Sequence, residues 1–264
     1  TSNTFNISGN SISDIIAVAS SESPTVSSIE NTAGPLSSVQ GTKVWQITIR
    51  DGGAGGDADA ASTIVNALTI SQHANNGMDD WDEAILSADL FDGATHLGTA
   101  TITNTQLQFS DSPLVTVSDN ASKTLTLRIS ISTTPNTSGN NVDGDDFVFE
   151  VTNANVTADA GGSGFSSFSA IASADAQNVF DVDVTEIQFV QQPTETMRTL
   201  SMNPAVSIKA CDANGNVDID FVANITLTST GTMTGDPISV ALTNGVAEFD
   251  VVHIEEGTGF ILTA

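Results

Sequence analysis

The stretch Leu125-Thr-Leu-Arg-Ile-Ser-Ile131 alternates apolar with polar side chains and decides the fold class of this chain. Because successive side chains of a β-strand point to opposite faces, this period of two predicts a strand with one buried and one exposed face. The same period recurs in runs bounded by Gly, Asn, Asp or Pro, at 45–49, 147–151, 206–208 and 225–227. We therefore expect an all-β protein built of tandem antiparallel β-sandwich modules.

Two dipeptides predict sharp turns between such runs. Asp92-Gly93 and Asn244-Gly245 both combine residues that tolerate positive φ, so each predicts a tight hairpin. A short helix is expected only within 79–88, where acidic residues stand at the N-terminal end and interact favourably with the helix dipole.

The composition excludes several classes of function. The 264 residues include 32 Asp or Glu against 6 Lys or Arg, a formal net charge of -26. A nucleic-acid binder needs a cationic face to displace counterions from phosphates, so we expect no nucleic-acid partner. The same charge argues against docking on an anionic membrane surface. Hydrophobic residues make up 39% of the chain, which is enough to build a folded core.

The order of strands and polar hinges predicts the domain organisation. Segments 13–26 and 178–190 both read as a strand, a polar hinge and the start of another strand. We interpret residues 1–20 as the closing strand of an upstream module and 21–184 as a β-sandwich with an acidic glycine-rich loop. Residues 185–264 show the spacing of an immunoglobulin-like sandwich without its final strand. Since the chain stops inside an apolar strand, we expect a piece of a longer protein.

The sequence offers neither a transmembrane segment nor a disulfide. No uninterrupted apolar stretch approaches the roughly 20 residues of a membrane span, so we expect no direct membrane insertion. Cys211 is the only cysteine of the chain, which excludes an intramolecular disulfide. It follows the alternating run 206–210 without a nearby His or basic residue after it, so we expect a buried apolar side chain rather than a nucleophile.

The strongest candidate site is the acidic loop Asp51-Gly-Gly-Ala-Gly-Gly-Asp57-Ala-Asp59. Its four glycines let the backbone fold back, so that three carboxylates and several carbonyls converge on one point. Hard oxygen ligands in a flexible loop suit Ca²⁺, which takes about 6 to 8 of them. A second acidic loop supplies Asp143 and Asp145 as secondary ligands, which we expect at the same end of the sandwich. The alternative is that both loops are solvated turns, where Asp and Gly are common.

Other motifs indicate structure rather than chemistry. Asp212-Ala-Asn-Gly-Asn216 has the start of a calcium-loop pattern but lacks its bidentate acid, so we expect a hairpin turn. His73, His96 and His253 show no metal-ligand spacing, and no catalytic motif is found, so we expect no enzyme. Trp81 stands among four acidic residues; an exposed Trp stacks on sugar rings, whereas the alternative is a core side chain.

Two stretches resemble known bacterial surface proteins. The run Gln188-Phe-Val-Gln-Gln-Pro193, followed by Met202-Asn-Pro-Ala-Val206 and the 212–216 turn, resembles immunoglobulin-like repeats of the invasin and adhesin type. The run 47–59 with Thr63-Ile64 resembles repeats in very large surface proteins of gliding bacteria that export cargo by type IX secretion. The resemblance implies an extracellular, cell-surface location and a role in adhesion or gliding motility. It implies no catalytic residues.

We therefore expect a non-enzymatic structural and adhesive segment of a large exported surface protein, with stacked modules stiffened by calcium. The expected partners are neighbouring modules of the same chain, with secretion machinery and surface glycans as further candidates. The alternative function is a carbohydrate-binding accessory module of a secreted enzyme, which requires exposed aromatic side chains in a row. Aromatic residues make up only 5% of the chain, and Trp45 lies in the apolar phase of its run.

Overall fold

The computed structural model describes residues 12–135 and 141–264, and it confirms the predicted all-β class. The chain divides into two compact units, Thr1–Phe180 and Asp181–Ala264, so the boundary falls close to the expected one after residue 184. In chain order the strands are β1 (Asp14–Ala17), β2 (Thr25–Ser27), β3 (Thr42–Arg50), β4 (Thr63–Gln72), β5 (Ile85–Asp92), β6 (Thr95–Thr99), β7 (Thr101–Thr103), β8 (Gln106–Val117), β9 (Ser122–Ile131), β10 (Phe149–Val151), β11 (Val156–Ala158), β12 (Ile171–Ala172), β13 (Val179–Asp181), β14 (Glu186–Gln191), β15 (Val206–Cys211), β16 (Asn224–Ser229), β17 (Ile238–Ala241), β18 (Val246–Phe249) and β19 (Leu262–Thr263). A single helical turn, α1, spans Trp81–Ala84, and a 3₁₀ turn spans Asn153–Asn155.

The first unit contains two main antiparallel sheets. One has the order β1-β3-β9-β5-β6, and the other has the order β12-β10-β4-β8-β7 with β11 also paired to β4. Strands β2 and β13 form a separate pair. Alternate side chains of β3, β4, β8 and β9 are buried between the two sheets, as the period of two predicts.

Strand β1 corrects the expectation that residues 1–20 belong to an upstream module. It pairs with β3 from Asp14↔Arg50 to Ala17↔Ile47, and its Ile15 is buried in the core. The Arg50 guanidinium donates hydrogen bonds to both carboxylate oxygens of Asp14, which holds the edge strand in register. Residues 14–17 therefore belong to the first unit, while residues 1–11 lie outside the described residues.

The helix expected within 79–88 is one turn long. It begins after Asp80, and from Ile85 the chain continues as strand β5. Ile85 pairs with Ile131 of β9, and most side chains of β5 are buried. Pairing within the sheet thus overrides the local preference for helix.

Both predicted tight turns form, since Thr243 and Val246 pair across Asn244-Gly245, but the strands that the two turns connect differ in their pairing. The first hairpin is confirmed, because Asp92 pairs with Thr95 and joins β5 to β6. At Asn244-Gly245 both residues have positive φ, of 48° and 73°, as a type I′ turn requires. However, β17 before this turn pairs with β16, whereas β18 after it pairs with β15, so the turn passes the chain from one sheet to the other. A side chain at Gly245 would lie 2.3 Å from the carbonyl oxygen of Asp218.

An aromatic cluster joins the two sheets of the first unit. Trp45 on β3 stacks on Phe149 of β10, with ring centroids 6.3 Å apart, and Trp81 of α1 contacts the same ring at 5.1 Å. The ring of Phe147 lies 6.4 Å from that of Phe149, and all four side chains are fully buried. Of the two roles considered for Trp81, the structure confirms the core side chain.

The second unit is a sandwich of two three-stranded sheets, with the orders β14-β15-β18 and β17-β16-β19. Its core lies between them and includes Val206, Ile208, Leu227 and Phe249. Six strands lie within Asp181–Ala264, whereas an immunoglobulin constant-type sandwich has about seven. Cys211 is fully buried, and this burial raises the pKa of its thiol, as expected for a structural side chain.

The Asp212–Asn216 segment is a tight turn, as predicted. Cys211 pairs with Val217 across it, and the N–H of Asp212 donates to the carbonyl of Asn216 at 3.0 Å. The Asp212 carboxylate accepts hydrogen bonds from the backbone N–H groups of Asn214 and Asn216 and from the side-chain amide of Asn216. Its oxygens therefore stabilise the turn itself.

Phe149→Ala is expected to lower the free energy of unfolding of the first unit by about 3–5 kcal/mol, because it leaves a cavity between both Trp rings. Both tryptophans lie in this unit and the chain has no tyrosine, so tryptophan fluorescence during urea denaturation reports this unit. The control is Val39→Ala, at a position that is 84% exposed, for which a change within about 0.5 kcal/mol is expected. Equal effects of the two substitutions would contradict a central role of the aromatic cluster.

Candidate metal centre

The loop that follows β3 is anchored by the buried carboxylate of Asp51. The hydroxyl of Thr63, at the start of β4, donates to its Oδ2 at 2.6 Å, and the backbone N–H of Asn120 donates to its Oδ1 at 2.9 Å. The N–H of Asp51 in turn donates to the carbonyl of Ala121 at 3.0 Å. Asp51 is 2% exposed, so these hydrogen bonds replace the water that its charge would otherwise attract. One carboxylate thus ties together β3, β4 and the turn between β8 and β9.

The glycine-rich segment folds back and brings Asp57 to this point. Gly52 has a φ of 68°, and a side chain there would lie 2.6 Å from the backbone nitrogen of Asp57, so the position requires glycine. Asn120 holds the returning loop, since its Oδ1 accepts the N–H of Asp57 at 2.6 Å and its Nδ2 donates to the carbonyl of Asp57 at 3.0 Å. The predicted reversal of the loop is therefore observed.

Asp51, Asp57 and Asp119 form what we name the Asp51 cluster. One carboxylate oxygen of each lies within 4.8 Å of the others. Because Ca²⁺–oxygen distances are about 2.3–2.6 Å, two oxygens on opposite sides of one ion lie about 4.6–5.2 Å apart. The three carboxylates are therefore close enough to share one cation. The cluster extends from the buried Asp51 through the half-buried Asp57 to the exposed Asp119.

Asp57 has the least favourable electrostatic environment of the three. Its Oδ2 is buried and has no hydrogen-bond partner among the described residues, and its Oδ1 accepts a long bond of 3.4 Å from the N–H of Asp59. Desolvation raises the pKa of Asp57 above its ordinary value of 3.8, and the charges of Asp59, Asp51 and Asp119 raise it further. A cation held by the cluster would offset this repulsion.

The structure does not bring Asp59 into the cluster. Its Oδ1 accepts the N–H of Ala61 at 2.7 Å, and its Oδ2 accepts the hydroxyl of Ser163 at 2.8 Å. The first bond closes a local turn, and the second joins this loop to the segment after β11. Asp59 therefore has a structural role before the start of β4, as a buried acceptor rather than as part of a solvated turn.

The second acidic loop lies at the opposite end of β4, so the expectation of a shared location is wrong. Asp51 contacts Thr63, the first residue of β4, whereas the loop with Asp143 and Asp145 leads into β10, whose Phe149 pairs with Gln72. At about 3.3 Å per residue, the length of β4 separates these two ends by about 30 Å. Asp143 and Asp145 are therefore too far from the Asp51 cluster to bind the same ion.

The surroundings of the second loop are those of a packed turn. Burial raises the pKa of Asp145, and the charges of Asp79, Asp146 and Asp143 raise it further. The N–H of Phe180 donates to the carbonyl of Asp145 at 2.7 Å, which fixes the loop against the end of the first unit. Both acidic loops thus concentrate negative charge. Among the described residues, the first loop also has a buried carboxylate oxygen without a hydrogen-bond partner, Oδ2 of Asp57, close to Asp51.

Sequence reasoning missed Asp119. The dipeptide Asp119-Asn120 lies between two alternating runs and is typical of a turn, so the sequence indicates that Asp119 lies in a hairpin turn. The sequence does not indicate that Asp119 lies beside Asp51, because this position depends on the pairing of Arg50 with Ser122 between β3 and β9. Non-local strand register, rather than spacing along the chain, completes the cluster.

Comparisons with known proteins identify no family for this chain. No protein-family model, curated protein or solved structure matches it. Within residues 12–135 and 141–264, none of the helical segments has the length and hydrophobicity of a membrane span. The basis for a functional proposal is therefore the geometry of the chain itself.

Asp57→Asn is expected to stabilise the first unit in the presence of a chelator, because it removes a desolvated carboxylate among like charges. The pKa of Asp57 is higher in the folded state than its ordinary value of 3.8. Stability therefore falls as the pH rises from 3.8 through the folded-state pKa and Asp57 becomes charged. The gain from Asp57→Asn should therefore be absent well below pH 3.8 and complete at about pH 7. Urea denaturation followed by tryptophan fluorescence across this range measures it.

The control for this prediction is Asp82→Asn, which removes the same charge at an exposed position on α1. It should show no comparable gain that depends on pH. A gain for Asp57→Asn that stays constant from acidic to neutral pH would mean that the charge of Asp57 is not its cause.

Proposed function

We propose that this chain is a non-enzymatic structural and adhesive segment of a large exported cell-surface protein, with β-sandwich modules that calcium stiffens. The observation that carries the proposal is the Asp51 cluster, in which a buried, a half-buried and an exposed carboxylate meet where three parts of the first unit join. A cation there would link the loop after β3, the start of β4 and the turn between β8 and β9. Fixing these ends restrains the sandwich against opening.

The ligand chemistry of the cluster supports calcium in particular. Carboxylate oxygens are hard ligands of the kind that Ca²⁺ prefers, and the cluster supplies one from each of three residues. Calcium sites of extracellular modules have dissociation constants of about 0.1–1 mM, which suit a partly exposed site. A site of this affinity would respond to extracellular rather than cytosolic calcium concentrations.

The charge of the chain supports an extracellular role as well. A formal net charge of -26 makes copies of the chain repel each other, which favours solubility. The same charge destabilises a compact fold through internal repulsion, and both salt and bound cations reduce that repulsion. An acidic module of this kind suits a medium that contains salt and calcium.

Cys211 and His96 have side chains of types that often act in catalysis, and both have structural roles here, which supports a non-enzymatic function. Cys211 is buried with a raised thiol pKa, so it is a poor nucleophile. The Nε2 of His96 lies 2.6 Å from Oδ1 of the buried Asp89, and His96 also packs edge-on against Phe91. These contacts serve the sheet that contains β5 and β6.

The carbohydrate-binding accessory module receives less support. Trp45 and Trp81, the side chains best suited to stack on sugars, are both buried in the core. Among the exposed large hydrophobic side chains of the described residues, Phe221 is the one aromatic. A row of exposed aromatics, which this function requires, is therefore not formed by residues 12–135 and 141–264.

The proposed setting follows from the resemblance of run 47–64 to repeats of gliding-bacterium surface proteins. We propose export by type IX secretion and a contribution to adhesion or gliding motility on that basis. The proposed partners are neighbouring modules of the same chain, with secretion machinery and surface glycans as further candidates.

Calcium is expected to raise the stability of the first unit. At a free calcium concentration about 100 times the dissociation constant, the free energy of unfolding should increase by about 2.7 kcal/mol. Thermal and urea denaturation followed by tryptophan fluorescence, with calcium and then with a chelator, measure this change. Identical midpoints in the two conditions would contradict the proposal.

The variants Asp57→Asn and Asp119→Asn should each abolish or strongly weaken this response, because each removes a ligand. Asp82→Asn removes an equal charge away from the cluster and should keep the full response. Sodium chloride at matched ionic strength separates specific binding from general screening of the -26 charge. If Asp57→Asn responds to calcium as strongly as the unmodified chain does, the ion does not bind at the Asp51 cluster.

A further inference from the structure

The connection between β14 and β15 of the second unit is long and exposed. The two strands pair directly, so a hairpin turn of a few residues would be enough to join them. Segment 192–205 instead forms no helix or strand, apart from one bridge between Ser201 and Val252. Most of its residues are exposed, including Met197 at 72% and Leu200 at 50%. Connections longer than about 12–15 residues are uncommon in compact domains and usually serve a function or act as linkers.

Few contacts hold the middle of this segment in place. The N–H of Thr199 donates to the carbonyl of His253 at 2.8 Å, and the N–H of Leu200 donates to the carbonyl of Met197 at 3.1 Å within the same turn. The φ of Thr199 is 68°, a left-handed conformation that is unfavourable for a β-branched residue. A local opening around Thr199 thus breaks few hydrogen bonds, exposes little new apolar surface and relieves backbone strain.

Arg198 is the residue that a partner could recognise in this segment. Its side chain is 56% exposed, and its Nε lies 3.9 Å from Oε1 of Glu256, whose side chain is 84% exposed. An ion pair as exposed as this one contributes little, so the guanidinium remains accessible to another protein. Endoproteases that cleave after basic residues recognise such a side chain through an acidic pocket.

The other basic residues of the chain lie in strands whose backbone is paired within sheets. The whole chain has 6 Lys or Arg residues. Apart from Arg198, these are Lys43 and Arg50 on β3, Lys123 and Arg128 on β9, and Lys209 on β15. Strands β3, β9 and β15 each have a paired strand on both sides. Because a protease binds its substrate as a single extended strand, cleavage at these positions requires a sheet to open.

We infer that segment 192–205 is a processing site, at which an endoprotease specific for basic residues cleaves the folded chain between Arg198 and Thr199. In this step water adds to the carbonyl carbon of Arg198, and the C–N bond to Thr199 breaks. Arg198 keeps the new carboxylate, and Thr199 leaves with the new amino group. The inference does not rest on calcium binding or on an adhesive role, since the segment belongs to the second unit and the Asp51 cluster to the first.

The cleaved chain is expected to stay folded. Strand β14 would belong to fragment 1–198 and strands β15–β19 to fragment 199–264, but the cleaved bond lies outside the pairing of β14 with β15. Phe189 of β14 also packs against the core of the second unit. After cleavage, β14 would be held to its sheet by hydrogen bonds and packing alone, and unfolding of the second unit would release it.

The test is limited proteolysis of the full chain with trypsin, followed over time by mass spectrometry. The first cut is expected after Arg198, at least about a hundredfold faster than after any other basic residue, because local opening is far more frequent than the opening of a sheet. The two fragments should elute together in gel filtration without denaturant and separately in urea.

Three variants locate the cut. Arg198→Gln should abolish the early cut, whereas Arg198→Lys should keep it, because trypsin accepts both basic side chains. The matched control is Thr226→Arg, which places a basic side chain at an exposed position on β16, a strand that is paired on both sides. It should add no early cut. This control separates the conformation of the segment from the exposure of a basic side chain.

Three results would overturn the inference. They are an Arg198–Thr199 bond that survives as long as the bonds after the other basic residues, an early cut that persists in Arg198→Gln, and cleavage after position 226 in Thr226→Arg that is as fast as cleavage after Arg198. None of them bears on the calcium response of the first unit, so failure of this inference leaves the calcium proposal intact.

Discussion

The stacking of Trp45 on Phe149 is the contact on which the first unit depends, because the two rings come from different sheets. Trp81 closes the cluster from the single helical turn, and all three rings are excluded from water. Large buried aromatic side chains contribute more hydrophobic free energy than any other residues of a core. With no disulfide in the chain, this burial holds the sheets face to face and thereby positions the loops at their ends.

Once the sheets are fixed, strand register decides which polar groups meet. The pairing of Arg50 with Ser122 places the residue after β3 beside the turn before β9, and so sets Asp51 next to Asp119. The folded-back glycine loop adds Asp57 at the same point. The result is a group of carboxylates that the fold holds together against their mutual repulsion. Such an arrangement is stable only if hydrogen bonds, protons or a cation compensate the charge.

Prediction from the sequence was most successful where the structure follows a local rule. The period of two in 125–131 predicted a strand, and β9 buries all four apolar side chains of this run, with Thr126 and Arg128 half-buried between them. The Asp212–Asn216 turn and the burial of Cys211 were also predicted, since both depend on residues adjacent in the chain. Prediction was less successful for 79–88, where the helix is limited to Trp81–Ala84 and pairing with β9 places 85–88 in strand β5. The Asn244-Gly245 turn formed as predicted, but its flanking strands joined different sheets.

The amino-acid sequence by itself determined the β-class of this protein, its excess of negative charge, and the return of the acidic glycine-rich loop on itself. These properties depend on side-chain periodicity, on composition and on the freedom of glycine, all of which are local. Only the tertiary structure decided which carboxylates lie together. It brings Asp119 into the Asp51 cluster and directs Asp59 to Ser163 instead. It also places Asp143 and Asp145 away from that cluster, at the other end of β4. The reason is that contacts between residues far apart in the chain depend on strand register and on the order of strands in each sheet, which spacing along the sequence does not encode.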